Sequence, residues 1–545
     1  MTKSSQLQSS KTAEKAVLAR VIADVAQQCK VQSSQIEDLY PCTPLQHALF
    51  VLSSTSDGAY IAQHIFKLPE HVDRERMKKA WNTVILRNAI FRTRLVALDS
   101  RVLQVVLKDW LPEWRTFMDR ARYLESDREQ TIDFGEPMIR LAISKTHLVW
   151  TAHHSIYDGY SVELMLADIA TVYREGNLSV RPPFRNFVKY AQIANDNGRS
   201  KYFWESKLSA PAKDVLSFPP VHLDSTRRPR PDSSIEHDTT PLITGPSGVT
   251  MATLVQAAWA LVLSSQLGSS TISYGTTLNG RNADLAGIDR IIGPTLSTVP
   301  VCFKIDYEQS ISQYLQNTQR LLTQMIPQIH VGIQTIKDIN QDTARACEFQ
   351  NLLAVHFVGE ENSRPTYEDL MERDYGSVST DFLSYALTIQ CYLTNSGRMR
   401  ASASFDSTLI NSSRTQRLLF QLEHIIRQLG SSHPSKSLRE VNLISPQDIK
   451  QIELWNMKPE RPDGFSLDEI NRQCSVRPDS IAICAWDGEV SYSKLDDLSS
   501  RLASYLISEH AIGPEVIVPV CFEKISLDDR GSGGSDENRC SVHIA

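Results

Sequence analysis

His153-His154-Ser155-Ile156-Tyr157-Asp158-Gly159 is the stretch on which the reading of this chain turns. Before it, Leu148 to Ala152 is strand-like and runs straight into the histidine pair. After it, the period changes: Val162, Met165, Leu166, Ile169 and Tyr173 mark one helical face, while Glu163 and Asp168 stay polar. The histidines therefore sit at a strand end just before a helix, where α/β folds commonly place chemistry. The stretch offers an imidazole and, four residues on, a carboxylate, across a turn that Gly159 can relax. Imidazole titrates near neutral pH and can exchange protons with an amine or alcohol nucleophile. The carboxylate either orients the imidazole or pairs with a buried arginine. Taken alone, H-x-x-x-D reads equally well as a pair of satisfied core histidines.

Working outward, Ala13 to Gln28 has the spacing of a short linker helix, and Tyr40-Pro41-Cys42-Thr43-Pro44 precedes a helix starting at Leu45. Val72 to Arg87 reads as an amphipathic helix; Phe91 to Val96, Val102 to Leu107 and Met138 to Ile143 read as strands. Downstream, Leu216 to Gly248 is rich in proline, serine and charge, including Arg227-Arg228-Pro229-Arg230-Pro231, and reads as a crossover loop. Met251 to Leu267 is apolar nearly all round, which predicts a buried helix ended by Gly268. The strand Thr271 to Thr277 and the turn Asn279-Gly280-Arg281 follow. The organisation expected is an N-terminal tail and linker helix over 1–30, two α/β lobes over 31–215 and 216–445, a small α/β piece over 446–524 and a disordered tail over 525–545.

Composition narrows the function classes. A chain of 545 residues exceeds one ordinary core of about 100–200 residues. Its 41% hydrophobic and 22% charged residues are those of a globular protein. A net charge of −6 without a long basic run argues against nucleic acid as a partner. The nine cysteines show no C-x-x-C spacing and read mostly as buried small apolar side chains in a reducing compartment. The N-terminus lacks a secretory core, and the most apolar window, Ala252 to Leu263, is far shorter than the roughly 20 residues that span a bilayer. A cytoplasmic location, away from membranes, is expected.

Several further stretches, in order, carry a resemblance. Tyr40-Pro41-Cys42-Thr43-Pro44-Leu45-Gln46, Arg87-Asn88-Ala89-Ile90-Phe91-Arg92-Thr93, His153 to Ser161 and Ile292-Gly293-Pro294-Thr295-Leu296-Ser297-Thr298-Val299-Pro300 resemble successive motifs of fungal nonribosomal peptide synthetase condensation domains. His330 holds the place of a late motif whose continuation departs at Val331-Gly332-Ile333-Gln334. The resemblance covers nearly all of 31–445. It implies two chloramphenicol-acetyltransferase-like lobes in a V-shaped pseudo-dimer, with His154 in a tunnel between them. It implies an amide-bond-forming acyltransferase with His154 at the reacting amine, His153 beside it, and Asp158 and Gly159 shaping the loop. Asp158 would pair with an arginine, Arg87 first and Arg92 second. The chain would need no metal and no cofactor of its own. Its substrates would arrive on the phosphopantetheine arms of carrier domains of other polypeptides. Macrocyclising relatives typically carry Ser at the position of His153, so chain elongation is favoured.

Other readings rank lower. Leu267-Gly268-Ser269-Ser270 has a distant likeness to a carrier attachment site but closes a predicted buried helix. No G-x-S-x-G elbow and no phosphate loop occur. Val490-Ser491-Tyr492-Ser493-Lys494-Leu495 resembles the first adenylation-domain motif, and the match stops near Lys524, so a truncated adenylation start that does not activate amino acids is expected. An acyl-CoA-dependent O- or N-acyltransferase is an alternative; Asp133-Phe134-Gly135 resembles part of its second motif but precedes the histidine. A non-catalytic synthetase remnant is the third.

Overall fold

The computed structural model describes residues 17–55, 60–99, 101–196, 198–208, 217–220, 229–239, 248–358, 366–374, 385–457, 466–485, 488–513, 516–522 and 540–544. It divides into two compact units, Met1–Lys450 and Gln451–Ala545.

After a helix over residues 17–28, the first half of the larger unit runs β1 (Ile36–Pro41), α1 (Pro44–Thr55), β2 (Ile61–Lys67), α2 (Arg74–Arg87), β3 (Thr93–Leu98), β4 (Arg101–Leu107), β5 (Trp114–Thr116), β6 (Ile139–Ile143), β7 (His147–His153) and α3 (Gly159–Glu175). Asp73 caps α2 by accepting the Arg76 N–H at 2.7 Å, which places the start two residues after the expected Val72. Met77, Ala80, Trp81, Val84 and Ile85 bury one face of that helix. Phe91 and Arg92, expected in a strand, lie instead in a short 3₁₀ turn, Ala89–Arg92, because Asn88 ends α2 and Phe91 N–H turns back to its carbonyl. α3 carries the predicted apolar face, but Asp168 is buried and held by both nitrogens of an Arg181 fork at 2.6 Å.

The second half runs β8 (Ser233–Asp238), α4 (Met251–Leu267), β9 (Thr271–Leu278), β10 (Ser297–Lys304), β11 (Asn351–Val358), β12 (Glu372–Arg373), β13 (Leu387–Thr394) and β14 (Met399–Phe405). α4 has the expected bounds: Thr250 caps it, Gly268 ends it in the left-handed region at φ 60°, and Leu254 to Ser264 are all buried. The stretch expected as a crossover loop contains β8, an edge strand paired with β14. Its burial alternates residue by residue, as an edge strand over helix Ser412–Ser431 requires. Arg227 and Arg228 lie outside the described residues.

Among the described residues of the larger unit the strands form three sheets, in the orders β1-β4-β3, β12-β2-β7-β6-β5 and β10-β9-β11-β13-β14-β8. The two larger sheets are mixed and each has its own apolar core, one around Trp81, Trp150 and Met165, the other around α4. β12 belongs to the second half of the chain yet pairs with β2, closing the edge of the first half's sheet. Of seven cysteines, Cys29 and Cys391 are buried, Cys484 is exposed, and Cys42, Cys302, Cys347 and Cys474 are half-buried; these seven are free thiols.

In the smaller unit, β15 (Ile481–Ala485) pairs with β16 (Gly488–Ser491), the helix Tyr492–His510 follows, and β17 (Val518–Phe522) pairs with β18 (Cys540–Ile544). The last strand falls within the tail expected to lack structure; Cys540, Val542 and Ile544 alternate with polar residues, a two-residue period that suits a strand. Asp528 to Asn538 and residues 1–16 lie outside the described residues. No helix among those described is long and apolar enough to cross a membrane.

Candidate active site

β7 delivers the histidine pair. His153 N–H donates to Met138 O at 3.0 Å and His154 N–H to Tyr60 O at 2.8 Å, so the strand end is tied to both neighbours. His153 is fully buried, its ring 5.2 Å from that of Phe50. Its Nδ1 accepts the Ser155 N–H at 3.1 Å, which leaves the proton of the neutral ring on Nε2, an atom without a hydrogen-bond partner among the described residues. Burial, reinforced by His154, holds His153 down at about 3, so it stays uncharged. The opening motif braces the same turn: Gln46 Nε2 donates to Ser155 O at 3.0 Å and to Gln104 Oε1 at 2.9 Å.

His154 is the partly exposed member of the pair. Its ring lies nearly parallel to that of Tyr157, with centroids 4.8 Å apart and 16° between planes. Desolvation lowers its pKa below the ordinary imidazole value; hydrogen bonding to the backbone of His154 and Tyr157 and the nearby Asp158 charge oppose this only in part. At neutral pH the ring is an uncharged imidazole, able to accept a proton or a hydrogen bond.

Asp158 is a cap and an anchor. Its Oδ1 accepts from Ser161 N–H at 2.8 Å, starting α3. Its Oδ2 accepts from Thr295 N–H at 3.0 Å. The counter-charge is Arg281, whose Nη2 stands 3.1 Å from Oδ1 with both side chains 5% exposed. Arg281 also donates to Ile288 O and Ile291 O, at 3.0 and 2.7 Å, and lies over the Tyr160 ring at 4.3 Å. Ser161 Oγ accepts the Gly293 N–H at 2.9 Å. The loop after His154 is thus fastened to the second half of the chain through Arg281, Gly293 and Thr295.

Both arginines expected for Asp158 are elsewhere. Arg87 is exposed in the last turn of α2, where a cation faces the helix carboxyl end. Arg92 is buried against Glu37 and Leu107 O. Gly159 needs no glycine-only backbone, and a Cβ there would meet nothing within 4 Å; it is an exposed first residue of α3 beside open space, so the expectation that it relaxes the turn does not hold. His330 is buried between Phe187 and Tyr190, with Nδ1 3.3 Å from Ser297 Oγ, and burial lowers it to about 4.

Arg281, Gln46 and His64 were not singled out from the sequence. Arg281 stood in a recognised turn, but nothing local links it to Asp158, 123 positions away. The I-G-P segment did hold the signal, since Gly293 and Thr295 are both anchor points.

The family model described as Condensation domain matches residues 36–453. The chain is 46% identical over 510 residues to nonribosomal peptide synthetase inpA of Emericella nidulans, covering 93% of this chain and 34% of that protein. It is 37% identical over 520 residues to nonribosomal peptide synthetase 1 of Aspergillus fumigatus, covering 93% and 8%. The chain therefore spans about a third or less of the length of these relatives. The solved first condensation domain of the calcium-dependent antibiotic synthetase shares the fold, with a TM-score of 0.59 at 13% identity over 75% of this chain and 100% of that one.

Proposed function

Since this chain belongs to the condensation-domain family of nonribosomal peptide synthetases, we propose that it joins a carrier-bound acyl or peptidyl thioester to the amine of a carrier-bound aminoacyl group. The observation that carries the reading is the uncharged, partly exposed His154 at the end of β7, on a loop anchored from the other half of the chain.

An α-ammonium group has a pKa of about 8, so a substantial fraction is free amine near neutral pH. His154 accepts a hydrogen bond from that amine and takes the proton it sheds as the C–N bond forms. The C–S bond of the thioester breaks, and the departing sulfur leaves as a thiol with that proton. Confinement of both thioesters at one imidazole makes the attack effectively unimolecular, which supplies several kcal/mol of the barrier. Phosphopantetheine enters as part of the substrates, on carrier domains of other polypeptides. Residues 476–524 keep the resemblance to an adenylation start noted above; no step of the reaction runs through them.

The test is product formation by mass spectrometry with purified carrier-loaded donor and acceptor. His154→Ala should lower the rate about 10²–10⁴-fold at an unchanged melting midpoint. A wild-type rate in that variant would refute the proposal. Faster transfer from an acyl-CoA donor than from the carrier-bound one would assign the chain to acyl-CoA-dependent transfer instead.

A further inference from the structure

Behind His154 stands a column of rings that the histidine motif leaves unexplained. Trp150 on β7 and His64 on β2 are direct cross-strand partners, their rings stacked 4.7 Å apart at 23°. Trp81 and Phe91 also pack on Trp150, at 6.0 and 6.3 Å. His64 meets the edge of Tyr157 at 5.3 Å, and its Nε2 lies 3.0 Å from the Tyr157 hydroxyl oxygen. The face of Tyr157 then lies against the His154 imidazole.

We propose that the hydrogen bond between Tyr157 and His64 fixes the plane of the His154 ring, which makes Tyr157 and His64 positioning residues for the transfer reaction. The inference deepens the functional reading above and rests on it for its kinetic arm. Tyr157 is held in extended backbone, φ −149° and ψ 161°, at the end of the turn His154–Ile156, and is 3% exposed. With the backbone fixed, the direction of its side chain is set by the Trp150 ring, 5.1 Å away, and by His64 at its hydroxyl. The two groups share one hydrogen bond, whose donor is set by the tautomer of the neutral imidazole. Burial pushes the phenol of Tyr157 up, so it keeps its proton. Burial, then the positive charge of Arg373 and the neighbouring His154, hold His64 at about 3, so the ring stays neutral. Arg373, brought by β12, also lies 3.3 Å from Glu163, so the charges facing the pair are themselves tied to the edge strand and to α3. A reacting group displaced by about 1 Å can lose about 10²-fold in rate, so even a small tilt of His154 registers kinetically.

The full chain is made as Tyr157→Phe, His64→Leu, the double variant and His64→Gln, which restores a neutral hydrogen-bonding side chain. Each is assayed with carrier-loaded donor and acceptor, and its melting midpoint is measured. Tyr157→Phe and His64→Leu should each lower kcat about tenfold with KM for the acceptor carrier unchanged. The double variant should be no slower than either, and His64→Gln should recover most of the loss. A wild-type kcat in Tyr157→Phe, or losses that multiply in the double variant, overturns the proposal. So does a loss that follows a lowered melting midpoint and is not relieved by His64→Gln, which assigns the pair to packing alone. Histidine-labelled protein gives a readout free of catalysis: in Tyr157→Phe the His154 ring resonance should shift and broaden. If wild type forms no amide yet that resonance responds, the functional reading falls and the positioning role stands; an unmoved resonance overturns the role.

Discussion

Asp158 takes hydrogen bonds from Ser161, Thr295 and Arg281, and only the last carries charge. Arg281→Ala leaves a buried carboxylate with neutral donors alone, and should lower stability by about 3 kcal/mol, the low end for a broken buried pair, because Ser161 and Thr295 remain. Arg87→Ala should change it by less than about 0.5 kcal/mol, since Arg87 is an exposed helix-end cation. Urea unfolding of both variants checks the ranking; equal losses would show that Arg281 is not the counter-charge. The motif that contains Arg87 and Arg92 marks its place in the chain correctly and misleads about the pairing. A sequence gives residue types and local spacing, and an ion pair across 123 positions leaves no local trace.

At the scale of the element, legibility followed burial. α4 could be read to the residue because it is apolar on every side, so no choice of facing was needed, and Thr250 and Gly268 mark its ends chemically. β7 and α3 were readable because the period changes sharply at the histidine pair. β8 was not, since an edge strand buries only every other residue and its sequence, Ser-Ser-Ile-Glu-His-Asp, lacks an apolar stripe. The short segment around Gly293 belongs to the same scale. Gly293 has φ +147°, and a Cβ there would run into the Phe184 ring. Gly293→Ala should therefore cost about 2–3 kcal/mol, from backbone strain and the clash together. Phe184→Ala added to it should not restore the melting midpoint, because the strained backbone persists; full restoration would mean that sterics alone require the glycine.

Whole-molecule stability joins three histidines in different parts of the larger unit. His64 and His153 are held at about 3 and His330 at about 4, in each case mainly by burial. Their folded values lie below the unfolded value of about 6.5, so the unfolded chain binds protons first as pH falls. The stability these neutral rings contribute is complete above about pH 6.5 and is lost between there and about pH 3 for His64 and His153 and about pH 4 for His330, with a slope of up to ~1.4 kcal/mol per pH unit for each. Melting midpoints from pH 7.5 to 4.5 should decline from about 6.5 downward; a flat profile until carboxylates titrate would contradict the burial of these rings.

The edge strand β12 carries an implication for how such a chain is made. Translation runs from the first residue, so β2 and Asp158 leave the ribosome well before Arg373 and Arg281 have been polymerised. During that interval the nascent first half has an uncovered strand border and a carboxylate without its cation. Both defects are repaired only by sequence synthesised later, so the first half cannot reach its finished form until the chain has been made past Arg373.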